Sequence, residues 1–261
     1  MVEFLEGCAK GMLQDILDTV KGIDSDIKVT INFAALYNKE IRDMLDYQFT
    51  EPWAGNWLSA AYARDTAPGQ YPQLGPGDVS EVYNYQPESR YILAAAQIAA
   101  QGCRVFIYSG SQHPDGTLEH EEAKRVGAAY REIQKFEQYL SQRKVVADIG
   151  IIQSDTASNV PIPVVRLEIS CLEIVGYVCY DRPGQKELIV HEVSHMAELA
   201  KGDMPLIPGG ELRILDGWKN IKSAELVYSG QEVLKIEEKE GWLSIKLPSL
   251  AIHQIIRLRY D

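Results

Sequence analysis

The chain has 261 residues, of which 46% are hydrophobic and 24% charged, and its net charge is −11 at pH 7. This length suffices for one large domain or two ordinary ones, and the composition is that of a globular protein with ample material for a core. The acidic balance argues against a nucleic-acid partner, because phosphate backbones are bound through an excess of lysine and arginine.

The four cysteines contain no Cys-x-x-Cys pair; they are Cys8, Cys103, Cys171 and Cys179. We therefore expect no zinc ribbon, but small buried thiols in a reducing compartment. The sequence begins MVEFLEGCAK, with acidic residues where a signal peptide carries basic ones. No apolar run approaches the length of a membrane span. These features predict a soluble, cytoplasmic protein that does not bind membranes.

Residues 1–144 alternate between helical and strand-like patterns. Apolar residues recur at helical spacing in residues 3–22, and further helices are predicted at 38–45, 57–66, 87–102 and 118–143. Pro87 begins and Gly102 ends the fourth of these helices, which is the usual asymmetry. Short β-branched or apolar runs predict strands at 27–33, 46–49, 78–83 and 103–109. Apolar strands separated by helices indicate a parallel sheet with both faces covered.

The pattern changes in the second half of the chain. VADIGIIQSD (146–155) predicts one more buried strand, and prolines at 161 and 163 mark a loop. Residues 164–261 then contain a series of strand-like segments separated by turns such as Arg182-Pro183-Gly184. This part of the sequence predicts a small β-sandwich. The sequence contains no internal repeat and no low-complexity segment.

Three segments of the first half carry a family resemblance: EPWAGNWLSAAYARDTAPG, EVYNYQPESRYILAAAQIAAQGCRVFIYSGSQHPDGTLE and VGAAYREIQKFEQYL. They resemble the second half of the barrel of β-galactosidase-like and α-L-fucosidase-like glycoside hydrolases. VADIGIIQSD resembles the first strand of the amidotransferase-like middle domain of that group. KELIVHEVSHMAE and GWLSIKLPSLAIHQIIRLRY resemble strands of its closing β-domain.

The resemblance implies an α/β plus all-β fold with two large pieces missing. A partial (β/α) barrel would span residues 1–144, a linker or remnant strand of the middle domain 145–163, and a C-terminal β-sandwich 164–261. A full (β/α)₈ barrel needs about 250 residues, whereas four strands are predicted here. Either the sequence is a fragment, or the protein retains only half a barrel.

Two glutamates are candidate catalytic residues. Glycoside hydrolysis needs two carboxylates that flank the scissile bond, and barrel enzymes carry such groups at strand carboxyl ends. Glu81, in SEVYNYQP, resembles by position the strand-seven nucleophile of the β-galactosidase-like group. Glu51, in FTEPW, also follows a predicted strand. The alternative is that both are ordinary solvated glutamates, and the resemblance implies that the strand-four acid/base partner is absent.

Aromatic and polar residues near these glutamates are candidate sugar contacts. The flat faces of aromatic rings pack well on the apolar faces of sugars. The candidates are Trp53, Trp57, Tyr83 and Tyr85, all of which could equally be core residues. His113 follows the last predicted strand, but a plain turn explains the adjoining Pro114-Asp115-Gly116 just as well.

The segment VHEVSH contains His191-Glu192-x-x-His195, the motif of zinc metalloproteases. On a helix the two histidines would share one face and hold a metal, with Glu192 as general base. The surrounding segments are strand-like, however, and the sequence lacks an obvious third ligand. We therefore favour a β-strand here, with the histidines on a half-buried face or in solvent, and expect neither metal nor cofactor.

The sequence thus supports three hypotheses for function. The first is a glycoside-hydrolase-like protein, weak or inactive, whose ancestral chemistry is carboxylate-mediated hydrolysis. The second is a non-catalytic carbohydrate-binding or assembly module, and the third is a zinc hydrolase. Carbohydrate is the expected ligand. A homo-oligomer is also expected, because a half barrel exposes open strand edges that tend to pair.

Overall fold

A computed structural model describes most of the chain. The described residues are 2–32, 39–50, 56–66, 73–74, 86–107, 113, 115–141, 144–146, 167–170, 175–195 and 205–261. The first half contains five α-helices: α1 (Val2–Ile23), α2 (Lys39–Met44), α3 (Asn56–Thr66), α4 (Glu88–Ala100) and α5 (His120–Phe136). Three short strands lie between them: β1 (Phe49–Thr50), β2 (Gln73–Leu74) and β3 (Arg104–Val105).

The three short strands form one parallel sheet in the order β1-β2-β3. Phe49 pairs with Gln73, and Gln73 pairs with Arg104. Each connection between neighbouring strands contains a helix, α3 between β1 and β2 and α4 between β2 and β3. The predicted parallel arrangement with intervening helices is therefore confirmed.

The first predicted strand, at 27–33, is wrong in its described part, because residues 27–32 are not in a strand. The backbone N–H of Val29 donates to the Asp46 carboxylate (2.8 Å) instead of to a neighbouring strand. The Thr30 hydroxyl donates to the carbonyl of Tyr47 (2.8 Å). Val29 and Ile31 still pack against buried residues of α1 and α2. The apolar pattern therefore indicated burial correctly at Val29 and Ile31, which are partly buried, but not at Ile27, which is exposed. Side-chain hydrogen bonds took the place of a ladder.

The other predicted strands of this half are displaced or shortened. The strand predicted at 46–49 is observed at Phe49–Thr50, and that at 103–109 at Arg104–Val105. The segment 78–83 lies outside the described residues, and the described strand between β1 and β3 is Gln73–Leu74. The long helix ends at Phe136 rather than 143, followed by a 3₁₀ turn at Glu137–Tyr139.

Helix α4 is the centre of the molecule. It is rich in alanine, and nine of its residues are buried, from Tyr91 to Ala100. Small side chains let three neighbours approach closely: α3 through Ala60 and Ala63, α5 through Ala129, and the large antiparallel sheet through Val178 and Val193. The helix ends in the predicted way, since Gly102 adopts a positive φ of 92° that suits glycine.

The second half forms two antiparallel sheets. A six-stranded sheet has the order β10-β9-β13-β7-β6-β4, and a four-stranded sheet has the order β11-β12-β8-β5. Their strands are β4 (Lys144–Val145), β5 (Leu167–Ser170), β6 (Val175–Arg182), β7 (Glu187–Ser194), β8 (Glu211–Leu215), β9 (Ile221–Tyr228), β10 (Glu232–Leu234), β11 (Ile236–Lys239), β12 (Trp242–Lys246) and β13 (His253–Tyr260). Of the strand predicted at 146–155, only Val146 is described, directly after β4.

The six-stranded sheet has both faces covered. Leu188, Val190, Ile256 and residues of the four-stranded sheet such as Ile214 and Ile245 share one core. On the opposite face, Ile189 and Ile255 pack against α4 and α5. Strand β7 is accordingly buried at all eight positions. The α/β plus all-β composition is thus confirmed, with helices, a six-stranded sheet and a four-stranded sheet in successive layers.

Within the described residues, no helix is both long enough and apolar enough to cross a membrane.

Candidate functional site

The candidate sugar site is defined by the carboxyl ends of β1, β2 and β3. Parallel strands place these ends at one edge of the sheet, which is where barrel enzymes carry their chemistry. Glu51 follows β1 directly in the chain, and Glu81 comes seven positions after Leu74, the last residue of β2. Five of the seven candidate residues lie outside the described part of the chain: Glu51, Trp53, Glu81, Tyr83 and Tyr85.

His113, the candidate that follows β3, lies in a tight turn. Its backbone N–H donates to the Thr117 carbonyl (2.8 Å), and the Gly116 N–H donates back to the His113 carbonyl (2.9 Å). The Asp115 carboxylate accepts from both the backbone and the hydroxyl of Thr117, and these hydrogen bonds lower the pKa of Asp115. The turn explanation of this segment is therefore sufficient for Asp115 and Gly116.

The His113 side chain itself is exposed and has one polar contact. Its Nε2 lies 3.1 Å from Oε2 of Glu119. Glu119 caps α5, because its other carboxylate oxygen accepts from the backbone N–H of Glu121 (3.2 Å). His113 is thus tethered to the start of the helix that follows β3, with its ring open to solvent.

Trp57 on α3 is the second described candidate, and it lies against the large sheet. It is partly buried beside Leu93 of α4 and Val193 of β7. Its ring meets that of His195 edge-on, with 5.0 Å between the ring centres. The open backbone of Gly176 makes room for this contact, since a Cβ there would lie 2.1 Å from His195 Nε2. Trp57 therefore packs α3 onto β6 and β7.

The metalloprotease-like motif lies on strand β7, between β6 and β13. Alternation along the strand puts His191 on the helix-facing side and Glu192 on the side facing the four-stranded sheet. Four positions along a strand separate His191 from His195 by about 13 Å, too far for one zinc ion. The strand interpretation is confirmed, and the zinc-hydrolase hypothesis, which required a helix, is wrong.

His191 points into the core, not onto a half-buried or solvated face, so that part of the prediction is wrong. Its Nδ1 lies 3.0 Å from Nε2 of His253 on the neighbouring strand, and the two rings are nearly parallel. Phe136 of α5 and Tyr228 of β9 surround His253. Burial lowers the pKa of His253 to about 3, which keeps this ring neutral.

Glu192, the motif's would-be general base, is also buried. Its carboxylate accepts a hydrogen bond from the Gln254 side chain on β13. Burial raises the pKa of Glu192, and the Gln254 hydrogen bond opposes part of that rise. His191 and Glu192 are thus both buried, on opposite faces of the six-stranded sheet.

A buried polar layer between helices and sheet was missed by the sequence analysis. Gln97 donates to the Ser194 carbonyl (3.0 Å) and accepts from Asn56 (3.4 Å). The Tyr180 hydroxyl donates to the carbonyl of Ala100 at the end of α4 (2.7 Å). The available signal was the lone amide in the alanine-rich sequence AAAQIAA, since a buried amide needs partners. These bonds fix how α3 and α4 lie on the sheet.

The described residues contain no group of three or more histidine, cysteine, aspartate or glutamate side chains arranged to hold a metal ion.

No protein-family model and no curated protein matches the sequence. The structure is similar to that of α-L-fucosidase isoenzyme 2 from Paenibacillus thiaminolyticus, with a TM-score of 0.74 at 10% identity. This similarity covers 95% of the present chain and 70% of the fucosidase chain.

Two further similarities are slighter. A cycloisomaltooligosaccharide glucanotransferase from Paenibacillus sp. gives a TM-score of 0.42 at 15% identity, over 66% of this chain and 27% of that one. A bifunctional glucanase-xylanase from a metagenome library gives 0.34 at 11% identity, over 77% and 33%. Over nearly its whole length, the chain therefore has a fold similar to that of the fucosidase.

Proposed function

We propose that the chain is a glycoside-hydrolase-like protein that binds carbohydrate at the carboxyl ends of β1, β2 and β3 and hydrolyses glycosidic bonds weakly or not at all. In this proposal residues 1–144 are a partial (β/α) barrel and residues 164–261 a small β-sandwich. The observation that carries it is the similarity of fold to the fucosidase over 95% of the chain, combined with the parallel sheet of β1, β2 and β3.

Glu81 and Glu51 are the proposed carboxylates of the site. The role of Glu51 is supported by its position in the chain, directly after the last residue of β1. Support for Glu81 comes from its place between β2 and α4, in the connection that leads away from the middle strand. Two carboxylates are the minimum for acid and nucleophile roles in glycoside hydrolysis.

The proposed weakness of catalysis rests on the number of barrel strands that the described residues supply. A complete barrel uses eight strands, and its catalytic groups come from several of them. The described residues supply three parallel strands. The family resemblance assigns the acid/base carboxylate to strand four, for which the sequence offers no counterpart. A site with one misplaced or missing carboxylate would retain binding and lose most of the rate.

Sugar binding would then depend on aromatic contacts. Trp53, Tyr83 and Tyr85 are the proposed platforms, because each falls in a connection that follows β1 or β2. Trp57 is a weaker candidate, since its ring packs against His195 and the core beside it. The exposed ring of His113 supports a role as a hydrogen-bond donor or acceptor for sugar hydroxyls. A cytoplasmic location is also proposed, supported by the buried cysteines Cys103 and Cys179, neither of which forms a disulfide within the described part of the chain.

The test combines turnover and binding. The purified chain is assayed with an aryl α-L-fucoside and an aryl β-galactoside, and its affinity for L-fucose and galactose is measured by calorimetry. We expect a trace of hydrolysis at most, sugar binding that weakens in Trp53→Ala, and no change in Glu238→Gln, an exposed control on β11.

Robust turnover that disappears in Glu81→Gln would show an efficient enzyme and contradict the proposed weakness. Binding that Trp53→Ala weakens, without any turnover, would favour the second candidate, a non-catalytic carbohydrate-binding module. The absence of both binding and turnover for every sugar tested would refute the proposal.

A further inference from the structure

Helix α1 carries two apolar rows, and only one of them is covered. The inner row includes Leu13 and Leu17, which are buried against Ile41 and Leu45. The outer row runs at intervals of four from Phe4 through Cys8 and Met12 to Ile16, and Ile23 lies on the same face at the end of the helix. Its four large side chains are 44–79% exposed. Helix α1 therefore presents an apolar surface to solvent, which we call the outer row.

The area of this surface is that of an interaction patch. With about 150–200 Å² for each fully exposed large side chain, the exposed fractions of these four side chains correspond to roughly 400–500 Å² of apolar surface. The largest apolar patch on a typical monomer is about 300–600 Å², and it is often an interaction site. Two such surfaces facing each other would bury about 800–1,000 Å² before any polar rim is added, and the rim would bring the total above the lower bound of about 1,000 Å² for a specific interface.

We propose that the outer row of α1 is the interface of a homodimer, in which two copies of α1 pack antiparallel about a two-fold axis near Met12. A two-fold interface uses the same surface on both copies, so one self-complementary row suffices. Antiparallel packing also sets the helix dipoles against each other favourably. In this arrangement position n faces position 24 − n of the second copy, so Cys8 faces Ile16.

The edge of the parallel sheet at β3 is a poorer interface than α1, although open strand edges were the reason to expect a homo-oligomer from the sequence. The Tyr130 hydroxyl donates to the Val105 carbonyl and accepts from the Ile107 N–H, both at 3.2 Å. These two groups flank Phe106, just beyond β3. When a side chain already satisfies the backbone groups of an edge strand, those groups are not available for pairing with another chain. The sequence placed the two open edges at the strands predicted at 103–109 and 27–33, and the described part of the latter is not a strand.

Light scattering on the full chain tests the dimer, with a charge substituted for an exposed apolar residue inside the outer row and for one outside it. We expect a mass twice the 29.3 kDa of one chain at high micromolar concentration. Met12→Glu should return the mass to 29.3 kDa, because it places a charge on the two-fold axis. Val233→Glu changes another exposed apolar residue, on β10, and should leave the dimer intact. Circular dichroism verifies that both variants remain folded.

Cross-linking tests the antiparallel geometry. Combining Met12→Cys with Cys8→Ser places two thiols beside the axis, and oxidation should yield a covalent dimer. The wild-type chain should not cross-link through Cys8, because four helical positions from the axis separate the two copies of Cys8 by about 12 Å along the helices. Oxidation of the Cys8→Ser variant alone measures any covalent dimer that forms through the remaining cysteines.

Three results would overturn the proposal. The wild-type chain could run as a monomer at the highest concentration. The dimer could survive Met12→Glu yet disappear with Val233→Glu, which would move the interface to β10. Ready cross-linking through Cys8, without cross-linking at position 12, would exclude an axis near Met12.

Discussion

Nδ1 of His191 lies 3.0 Å from Nε2 of His253, in the layer between the six-stranded sheet and helices α4 and α5. One of these two nitrogens donates its proton and the other accepts it, so the contact requires that at least one ring be neutral. Burial keeps His253 in that state by lowering its pKa to about 3. The first histidine of the protease-like motif is therefore a partner in a core hydrogen bond.

The His253 environment predicts acid sensitivity. In the unfolded chain His253 takes up a proton near its ordinary pKa of about 6.5, whereas in the folded chain it stays neutral until about pH 3. Its contribution to stability is therefore present above pH 6.5 and is lost as the pH falls toward 3, by about 1.4 kcal/mol per pH unit.

Urea unfolding between pH 7 and pH 4 measures this loss. In His253→Gln the slope of the unfolding free energy against pH should be smaller than in wild type by the contribution of about one proton. The histidine signals of the wild type provide a second readout, with His253 remaining neutral at pH 4. Parallel pH profiles for wild type and His253→Gln would contradict the assignment.

Glu192 should destabilise the fold at neutral pH. Its folded pKa is raised by burial, so the folded carboxyl binds its proton more tightly than the unfolded one does. The corresponding stability is present below the ordinary pKa of Glu and is lost as the pH rises through the folded value. Glu192→Gln should raise the free energy of unfolding at pH 7 by about 1 kcal/mol and have little effect at low pH. Chemical denaturation at both pH values checks this, and a stability loss at pH 7 would count against it.

Zinc analysis tests the strand interpretation of the motif. His191 lies on β7 and His195 directly follows it, so the two side chains are too far apart to share a zinc ion. Neither His191→Ala nor His195→Ala should therefore change the zinc content. Wild type and both variants should each contain well below one zinc per chain. Inductively coupled plasma spectrometry gives the stoichiometry. One tightly held zinc per wild-type chain, lost on either substitution, would revive the hydrolase hypothesis.

Gly176 gives a packing test with a matched control. A Cβ at this position would lie 2.1 Å from His195 Nε2 and 3.0 Å from Trp57 Cε2. Gly176→Ala should therefore lower the free energy of unfolding by about 1–3 kcal/mol, since overpacking forces neighbours to shift. Gly184→Ala, where a Cβ meets nothing within 4 Å, should stay within about 0.5 kcal/mol of wild type.

Combining Gly176→Ala with His195→Ala isolates the contact. Removal of the ring should recover most of the loss, because the clash is with that side chain. Additive effects of the two substitutions would show that Trp57, and not His195, limits the space.

The helices could be predicted from sequence, and the strands only in part. Periodicity located α1, α4 and α5, because long amphipathic or alanine-rich patterns have few alternatives. Periodicity could not distinguish a helix from a strand at β7, since a strand buried on both faces lacks a clear alternation. The strand-like segments on both sides of it favoured a strand. At 27–32 the pattern indicated burial correctly for Val29 and Ile31 but predicted the wrong secondary structure, because hydrogen bonding by Asp46 leaves no trace in hydrophobicity.

The site was harder to predict than the fold. The pairing of His191 with His253 joins residues 62 positions apart, which no local pattern encodes. Trp57 was a candidate both for the core and for a sugar platform, and only the position of β7 and His195 shows its packing role. Glu51 and Glu81 remain predictions, derived from residue type and from the family resemblance.

A crystal structure with bound L-fucose is the measurement that tests the central claim most directly. We predict sugar density at the carboxyl ends of β1, β2 and β3, beside Trp53. The Glu51 and Glu81 carboxyl groups should be separated by a distance outside both the window of about 5–5.5 Å for retaining enzymes and that of about 6.5–9.5 Å for inverting enzymes. Sugar bound elsewhere, or a carboxyl separation within either window around a correctly seated sugar, would contradict a weakened carbohydrate site at this edge.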